Sequence, residues 1–306
     1  MATIIDVDGI KKRSWSVTSS YTPNNIITYN IALGVKGTDL SRCFEAHPDF
    51  AAVPTFATLP VISVMREVTY GMMEFLPNFQ AHNHVHGEHY LEMKGTFPKQ
   101  ATLNTTARVV DIVDRRSGVT VAVGITTVDA STGLEICYSE WTSFIMKVPG
   151  AGASTKPIPR GAATAIHPTP TDRKPDAVVE YKTSPEQGAL YRAASGDLNP
   201  LHIDPAVAKA GGFPGPILTG TCTVGMGVLH IIDTFAGGDF KRFQSVKLRL
   251  SKPVFPGEVV KTEMWREDGG RKIVYRQLAG DRVVISQAAV ELRDAEGSGA
   301  LKARLS

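Results

Sequence analysis

Pro23, Tyr29, Ala32 and Gly34 recur as Pro185, Tyr191, Ala194 and Gly196, each pair 162 positions apart. Pro54 and Pro216 keep that spacing, and each precedes a long apolar stretch. Phe97-Pro98 and Phe255-Pro256 match at a spacing of 158. Several coincidences at nearly one spacing describe two copies of one fold rather than a short-period solenoid. A chain of 306 residues is long enough for two ordinary domains. The copies are expected at 1–148 and 177–306, joined through a Gly-, Pro- and Ala-rich linker at 149–176.

Each copy opens with a helical stretch bearing the Tyr-x-x-Ala repeat. An apolar helix is expected next, over 55–75 in the first copy and 217–235 in the second. Both stretches read as apolar nearly all round, the pattern of a buried helix. β-Branched runs follow. In the first copy they are 107–113 and 119–128, with a hairpin turn at Arg115-Arg116-Ser117-Gly118; in the second, 243–250, 259–265, 272–278 and 283–292. Strands that follow one central helix describe an α+β domain with an antiparallel sheet.

Composition excludes more than it selects. A hydrophobic content of 42% and a charged content of 21% are those of a globular protein. A net charge of +3 gives no reason to expect a nucleic-acid partner. Cys43, Cys137 and Cys222 have no metal-like spacing, and so sparse a set suits a reducing compartment. No apolar run approaches the roughly 18 residues of a bilayer span, so no membrane partner is expected. The first residues lack a signal peptide's basic start and apolar core.

Only the second copy carries an acid/base pair. Asp197 and His202 lie five residues apart around Asn199-Pro200, a turn that aims both side chains at one point. Such a pair can activate a water and handle a proton near neutral pH. Alternatively, the same residues make a capped, helix-ending turn. The first copy has Val35 to Leu40 in the same place and neither member of the pair, so one active site is expected, not two.

The run from Tyr191 through Ser195, Gly196, Asp197, Asn199, Pro200, Leu201, His202, Ile203, Asp204 and Pro205 resembles the hydratase 2 motif of the MaoC-like (R)-specific enoyl-CoA hydratases. The resemblance continues through Gly212-Phe213, Pro216-Ile217-Leu218, Gly220 to Thr223, and Ser251 to Gly257. Residues 29–34 and 86–92 resemble the family's non-catalytic repeat, as in the two-repeat eukaryotic type found within peroxisomal multifunctional enzymes. The resemblance implies a double hotdog: two tandem repeats, each an antiparallel sheet wrapped around a long helix. It implies reversible hydration of a trans-2-enoyl-CoA to a (3R)-3-hydroxyacyl-CoA in fatty-acid β-oxidation. The degenerate repeat would make room for bulky acyl chains.

Asp197 and His202 are then the expected catalytic pair, with Asn199 fixing either the water or the loop. The family's oxyanion glycine falls on Gly220, near the start of the second apolar helix, where free N–H groups favour negative charge. Coenzyme A brings phosphates, for which Lys247, Arg249 and Lys252 are the candidates; on a strand Lys247 and Arg249 share a face. An ordinary solvated strand face would look the same. His86, Gly87 and Glu88 match a family segment near the substrate cleft, and Glu45 is expected in a structural or supporting role.

His82, His84, His86 and His89 admit a different class, since alternate histidines on one strand could bind zinc or iron. The resemblance implies no metal and no cofactor beyond the CoA of the substrate. Other readings are an acyl-thioester dehydratase, which runs the same chemistry backwards, an acyl-CoA thioesterase and a non-catalytic acyl-CoA-binding protein. No dinucleotide-binding glycine fingerprint is present. A homodimer stays open. The family implies peroxisomes. A peroxisomal address of the Ser-Lys-Leu kind is read at the very end of a chain, and here Ser306 follows Ala303-Arg304-Leu305, which leaves the cytoplasm as the alternative.

Overall fold

The computed structural model describes residues 5–80, 83–148 and 152–295. The C-terminal tail and the first residues of the linker lie outside them.

The first half contains α1 (Val7–Lys12), β1 (Trp15–Tyr21), α2 (Pro23–Ala32), α3 (Leu40–Cys43), α4 (Thr58–Phe75), β2 (His84–Met93), β3 (Ala101–Arg115), β4 (Gly118–Asp129) and β5 (Glu135–Met146). The second contains β6 (Ala177–Lys182), α5 (Gln187–Ser195), α6 (Pro205–Ala210), α7 (Gly220–Phe235), β7 (Phe243–Leu250), β8 (Val259–Glu267), β9 (Lys272–Ala279) and β10 (Arg282–Leu292). The β-branched runs read from the sequence fall on strands, with the 115–118 turn joining β3 to β4.

Among the described residues all ten strands form one sheet in the order β1-β3-β4-β5-β2-β7-β10-β9-β8-β6. The order is a palindrome: each half contributes the same sequence of strands, mirrored about the antiparallel β2–β7 seam. The two sheets expected of a double hotdog are therefore continuous. Glu88 faces Arg249 and Glu92 faces Ser245 across the seam.

The central helices differ. Residues Thr221 to Ile232 of α7 are buried without interruption, as its apolar sequence demands. In α4 the expectation of burial all round is corrected. Val61, Val64, Met65, Val68 and Met72 form a buried stripe at helical spacing, while Tyr70 and Met73 are exposed. Arg66, Glu67 and Glu74 interrupt the apolar pattern and leave α4 two-faced.

Further contacts lock the halves together. Gln187 Nε2 donates to the Ala32 carbonyl at 2.6 Å, and the Tyr29 and Tyr191 rings pack with centroids 5.8 Å apart. The Arg42 guanidinium forks onto the Asp233 carboxylate. One core cluster draws on both halves, with Tyr29, Phe56 and Leu91 beside Tyr191, Val224 and Leu248. The described part of the linker is strapped down. The Ser154 carbonyl accepts from the Asp114 N–H at 2.9 Å, and Arg160 reaches the buried Glu140 and Asp111 at 2.9 and 3.1 Å.

Candidate active site

Helix α5 delivers the loop that carries Asp197 and His202. It ends at Gly196, whose φ of 70° closes the helix in the left-handed conformation that glycine takes without strain. The chain then turns sharply. The Asp197 N–H donates to Ser195 Oγ at 3.2 Å, and the Asn199 N–H donates to Asp197 Oδ1 at 3.0 Å. Asn199 Oδ1 accepts from the Leu201 N–H at 3.1 Å and caps the short 3-10 turn Pro200–His202. Of the two roles expected for Asn199, the geometry displays the one that fixes the loop.

His202 Nδ1 lies 2.9 Å from the Ile217 carbonyl oxygen. A carbonyl only accepts, so Nδ1 carries the hydrogen, and in the neutral ring Nε2 is left with its lone pair. Nε2 faces Asp197 Oδ2 at 3.7 Å, too far for a direct hydrogen bond. Both side chains are largely buried, at 9% and 17% exposure. Beside His202 opens a cavity of about 470 Å³, lined by Ile203, Pro185, Pro214, Pro216, Phe255 and Pro256.

Gly220 is the first residue of α7, where an N–H has no carbonyl one turn back to bond. Ile217, three residues before it, is the residue that orients His202. A Cβ at Gly220 would stand 2.9 Å from the nearer Leu250 methyl, so this backbone is approached closely. Tyr191 OH donates to Thr221 Oγ1 at 3.0 Å and ties α5 to the start of α7.

The expected phosphate ligands separate. Lys247 is buried, and its ammonium donates to Glu88 at 2.6 Å across the β2–β7 seam. Its charge is spent inside the protein, which corrects its assignment to a CoA phosphate. Arg249 and Lys252 are exposed, and Lys252 stands on the segment that supplies Phe255 and Pro256 to the cavity. Glu45 is exposed on a first-half loop, and its backbone carbonyl accepts from Lys99 Nζ at 2.6 Å.

Gly87 forms a bulge, since His86 faces Ser143 and Glu88 faces the adjacent Thr142. The extra residue brings His86 toward His89, with ring centroids 5.3 Å apart. His86 stacks on Trp141 at 3.4 Å, and its Nε2 donates to the Glu88 carbonyl at 3.2 Å. His84 Nε2 lies 2.6 Å from Ser143 Oγ. His82 lies outside the described residues. Among the described residues, no three His, Cys, Asp or Glu side chains converge as a metal site would require.

Burial pushes His89 down to about 3 and His84 and His230 down to about 4, from an ordinary 6.5. The unfolded chain therefore binds more protons than the fold between pH 6.5 and these values. Stability falls as pH drops through that window, by up to about 1.4 kcal/mol per unit for each histidine. Among the described residues neither nitrogen of His89 has a hydrogen-bond partner. His89→Phe is expected to stabilise the protein by about 1 kcal/mol at pH 7 and to flatten the acid slope. Urea melts at pH 7 and pH 5 check both; an unchanged slope would refute the assignment.

Sequence reading passed over Arg192. Its Nη1 donates to the carbonyls of Asp197 and Asn199 at 3.1 and 3.4 Å. A basic residue in the last turn of a helix that ends in glycine was the available signal.

A palindromic ten-stranded sheet built from two like halves is the architecture of a double hotdog. Residues 19–147 match the family described as the MFE-2 hydratase 2 N-terminal domain, and residues 167–288 match the MaoC like domain. The Neurospora crassa peroxisomal hydratase-dehydrogenase-epimerase is 38% identical over 95% of this chain and 32% of its own length. The Dictyostelium discoideum probable enoyl-CoA hydratase 2 is 34% identical over 80% of this chain and 81% of its own. The structure of full-length peroxisomal multifunctional enzyme type 2 from Drosophila melanogaster superposes with a TM-score of 0.78 at 33% identity, covering 92% of this chain and 48% of that one. The chain belongs to the MaoC-like hydratase 2 family. It spans a third to a half of the multifunctional relatives' length.

Proposed function

We propose that this chain reversibly hydrates trans-2-enoyl-CoA to (3R)-3-hydroxyacyl-CoA in fatty-acid β-oxidation. The observation that carries this reading is the pair itself: His202, oriented by Ile217, turns its Nε2 lone pair toward Asp197 across a gap of 3.7 Å. A water in contact with both acceptors is held by its two hydrogens, with its oxygen lone pairs free to attack. The oxygen bonds to C3 of the enoyl thioester, and one water proton passes to the pair. The C2=C3 electrons move onto the thioester oxygen as an enolate, which the Gly220 N–H and the positive end of α7 stabilise. A proton then reaches C2 and the thioester carbonyl reforms. Water has been added across the double bond with no oxidant, metal or further cofactor required.

In this reading residues 177–306 carry the chemistry, and residues 1–148 accommodate the acyl chain and help to line the cleft through His86, Gly87 and Glu88. Exposed Arg249 and Lys252 are the cations left to meet the CoA phosphates. The relatives named peroxisomal support a peroxisomal setting.

The test follows the enoyl thioester absorbance as purified protein meets a medium-length trans-2-enoyl-CoA, with chiral analysis of the product. Formation of the (3R)-3-hydroxyacyl-CoA supports the reading. Release of free CoA would replace it with thioesterase chemistry, and binding without turnover with a carrier. Gly220→Ala adds a methyl group that Leu250 can yield to by rotating, so the fold is expected to hold. Turnover should fall by roughly 10²-fold as the thioester oxygen is pushed off its donor. Wild-type turnover in that variant would remove Gly220 from the oxyanion site.

A further inference from the structure

We propose that Arg192 is a positioning residue that sets where the Asp197 carboxylate stands against His202. The proposal rests on the hydration reading above and adds a residue that does not touch the reacting atoms. Arg192 occupies the last turn of α5, where the helix dipole leaves partial negative charge. After Gly196 the chain doubles back, so that the carbonyls of Asp197 and Asn199 both meet the same guanidinium nitrogen, at 3.1 and 3.4 Å. Among the described residues no carboxylate pairs with Arg192; its hydrogen bonds go to the loop backbone.

The loop is thereby gripped from two sides. Arg192 holds the carbonyls, while the Asn199 N–H holds Asp197 Oδ1 and leaves Oδ2 facing His202. Without the guanidinium the backbone carbonyls are free to rotate, and Oδ2 moves with them. Catalysis by a water shared between two acceptors depends on both being in place, and a displacement of about 1 Å can cost roughly 10²-fold in rate. Both bonds leave one nitrogen, Nη1; a lysine ammonium stands one atom nearer its own Cα and is free to rotate, so it can reach toward the carbonyls but holds them less firmly than the rigid guanidinium does.

The experiment compares wild type, Arg192→Lys and Arg192→Met in steady-state hydration of a trans-2-enoyl-CoA and of the matching N-acetylcysteamine thioester, which has no phosphates. Wild type is read first; if it turns over neither substrate, the hydration reading fails and the positioning role falls with it. With an active wild type, Arg192→Met should lose about 10²-fold in kcat, with KM within about twofold, and by the same factor on both substrates. Arg192→Lys should recover part of that loss. A rise in KM confined to the CoA substrate would overturn the proposal in favour of a phosphate contact. An unchanged kcat in Arg192→Met would overturn it outright. Should Arg192→Met fail to fold, Arg192→Lys decides: a fall of about tenfold in kcat on both substrates supports positioning, and wild-type kcat overturns it.

Discussion

Asp197→Asn and His202→Gln should each leave the fold intact and cut hydration by about 10²- to 10⁴-fold. In Asp197→Asn the new amide would occupy the space of the carboxylate but bring an N–H₂ where an acceptor is needed. It would keep the Asn199 N–H bond through its oxygen, so the loop should hold its shape. Gln in place of His202 loses both the lone pair at Nε2 and the Nδ1 bond to Ile217. The double variant should be hardly worse than either single one, because the two groups act as a unit on one water. Rates from the enoyl absorbance, with circular dichroism to verify folding, decide the matter. Near-wild-type turnover in either variant would take that residue out of the mechanism, and additive losses would separate their roles.

The second large effect is on stability and lies far from the chemistry. Arg160 bridges Glu140 and Asp111, whose side chains are 4% and 3% exposed. Asp111 also accepts the Ile158 N–H at 2.8 Å, so this cluster pins the strap that follows the first half. Arg160→Met preserves much of the apolar stem and removes the charge. It leaves two buried carboxylates facing one another without a cation, at a cost of about 3 kcal/mol. A urea melt should show the midpoint falling while the slope holds. Restoring stability with the triple change Arg160→Met, Glu140→Gln and Asp111→Asn would confirm uncompensated charge as the cause. A loss of only a few tenths of a kcal/mol would mean that the strap is held by its backbone contacts instead.

The duplication and the turn that brings Asp197 to His202 were legible because both are local or periodic. Tyr29 and Tyr191 announce the repeat at a fixed spacing, and Asp197 to His202 carry their own turn chemistry. The long β-branched runs of β3, β4 and β10 could be read for the same reason. The two-faced nature of α4 was misread: methionine and tyrosine count as apolar, yet Tyr70 and Met73 face outward. β5 escaped because Glu135, Ser139, Glu140 and Ser143 mask its alternation, although the last three are buried in the fold. The pairing of Lys247 with Glu88 spans 159 residues and depends on the β2–β7 register, which no local pattern encodes. Arg192 was missed because its partners are backbone carbonyls, which every residue has.

The seam between β2 and β7 makes each half the other's edge protection. Cut away from residues 1–148, the second half would present β7 with open backbone groups along one side and Val246 and Leu248 partly uncovered. Bare edges of that kind seek a partner. Because the sheet order is mirrored about an antiparallel pair, the partner already at hand is a second copy of the same strand, placed by a two-fold rotation. A fragment of 177–295 should therefore assemble in pairs, each pair holding two acid/base loops where the parent holds one. Covalent linkage of unequal halves thus does what symmetry cannot: it lets one flank of the sheet keep the Asp197–His202 pair while the other goes without it.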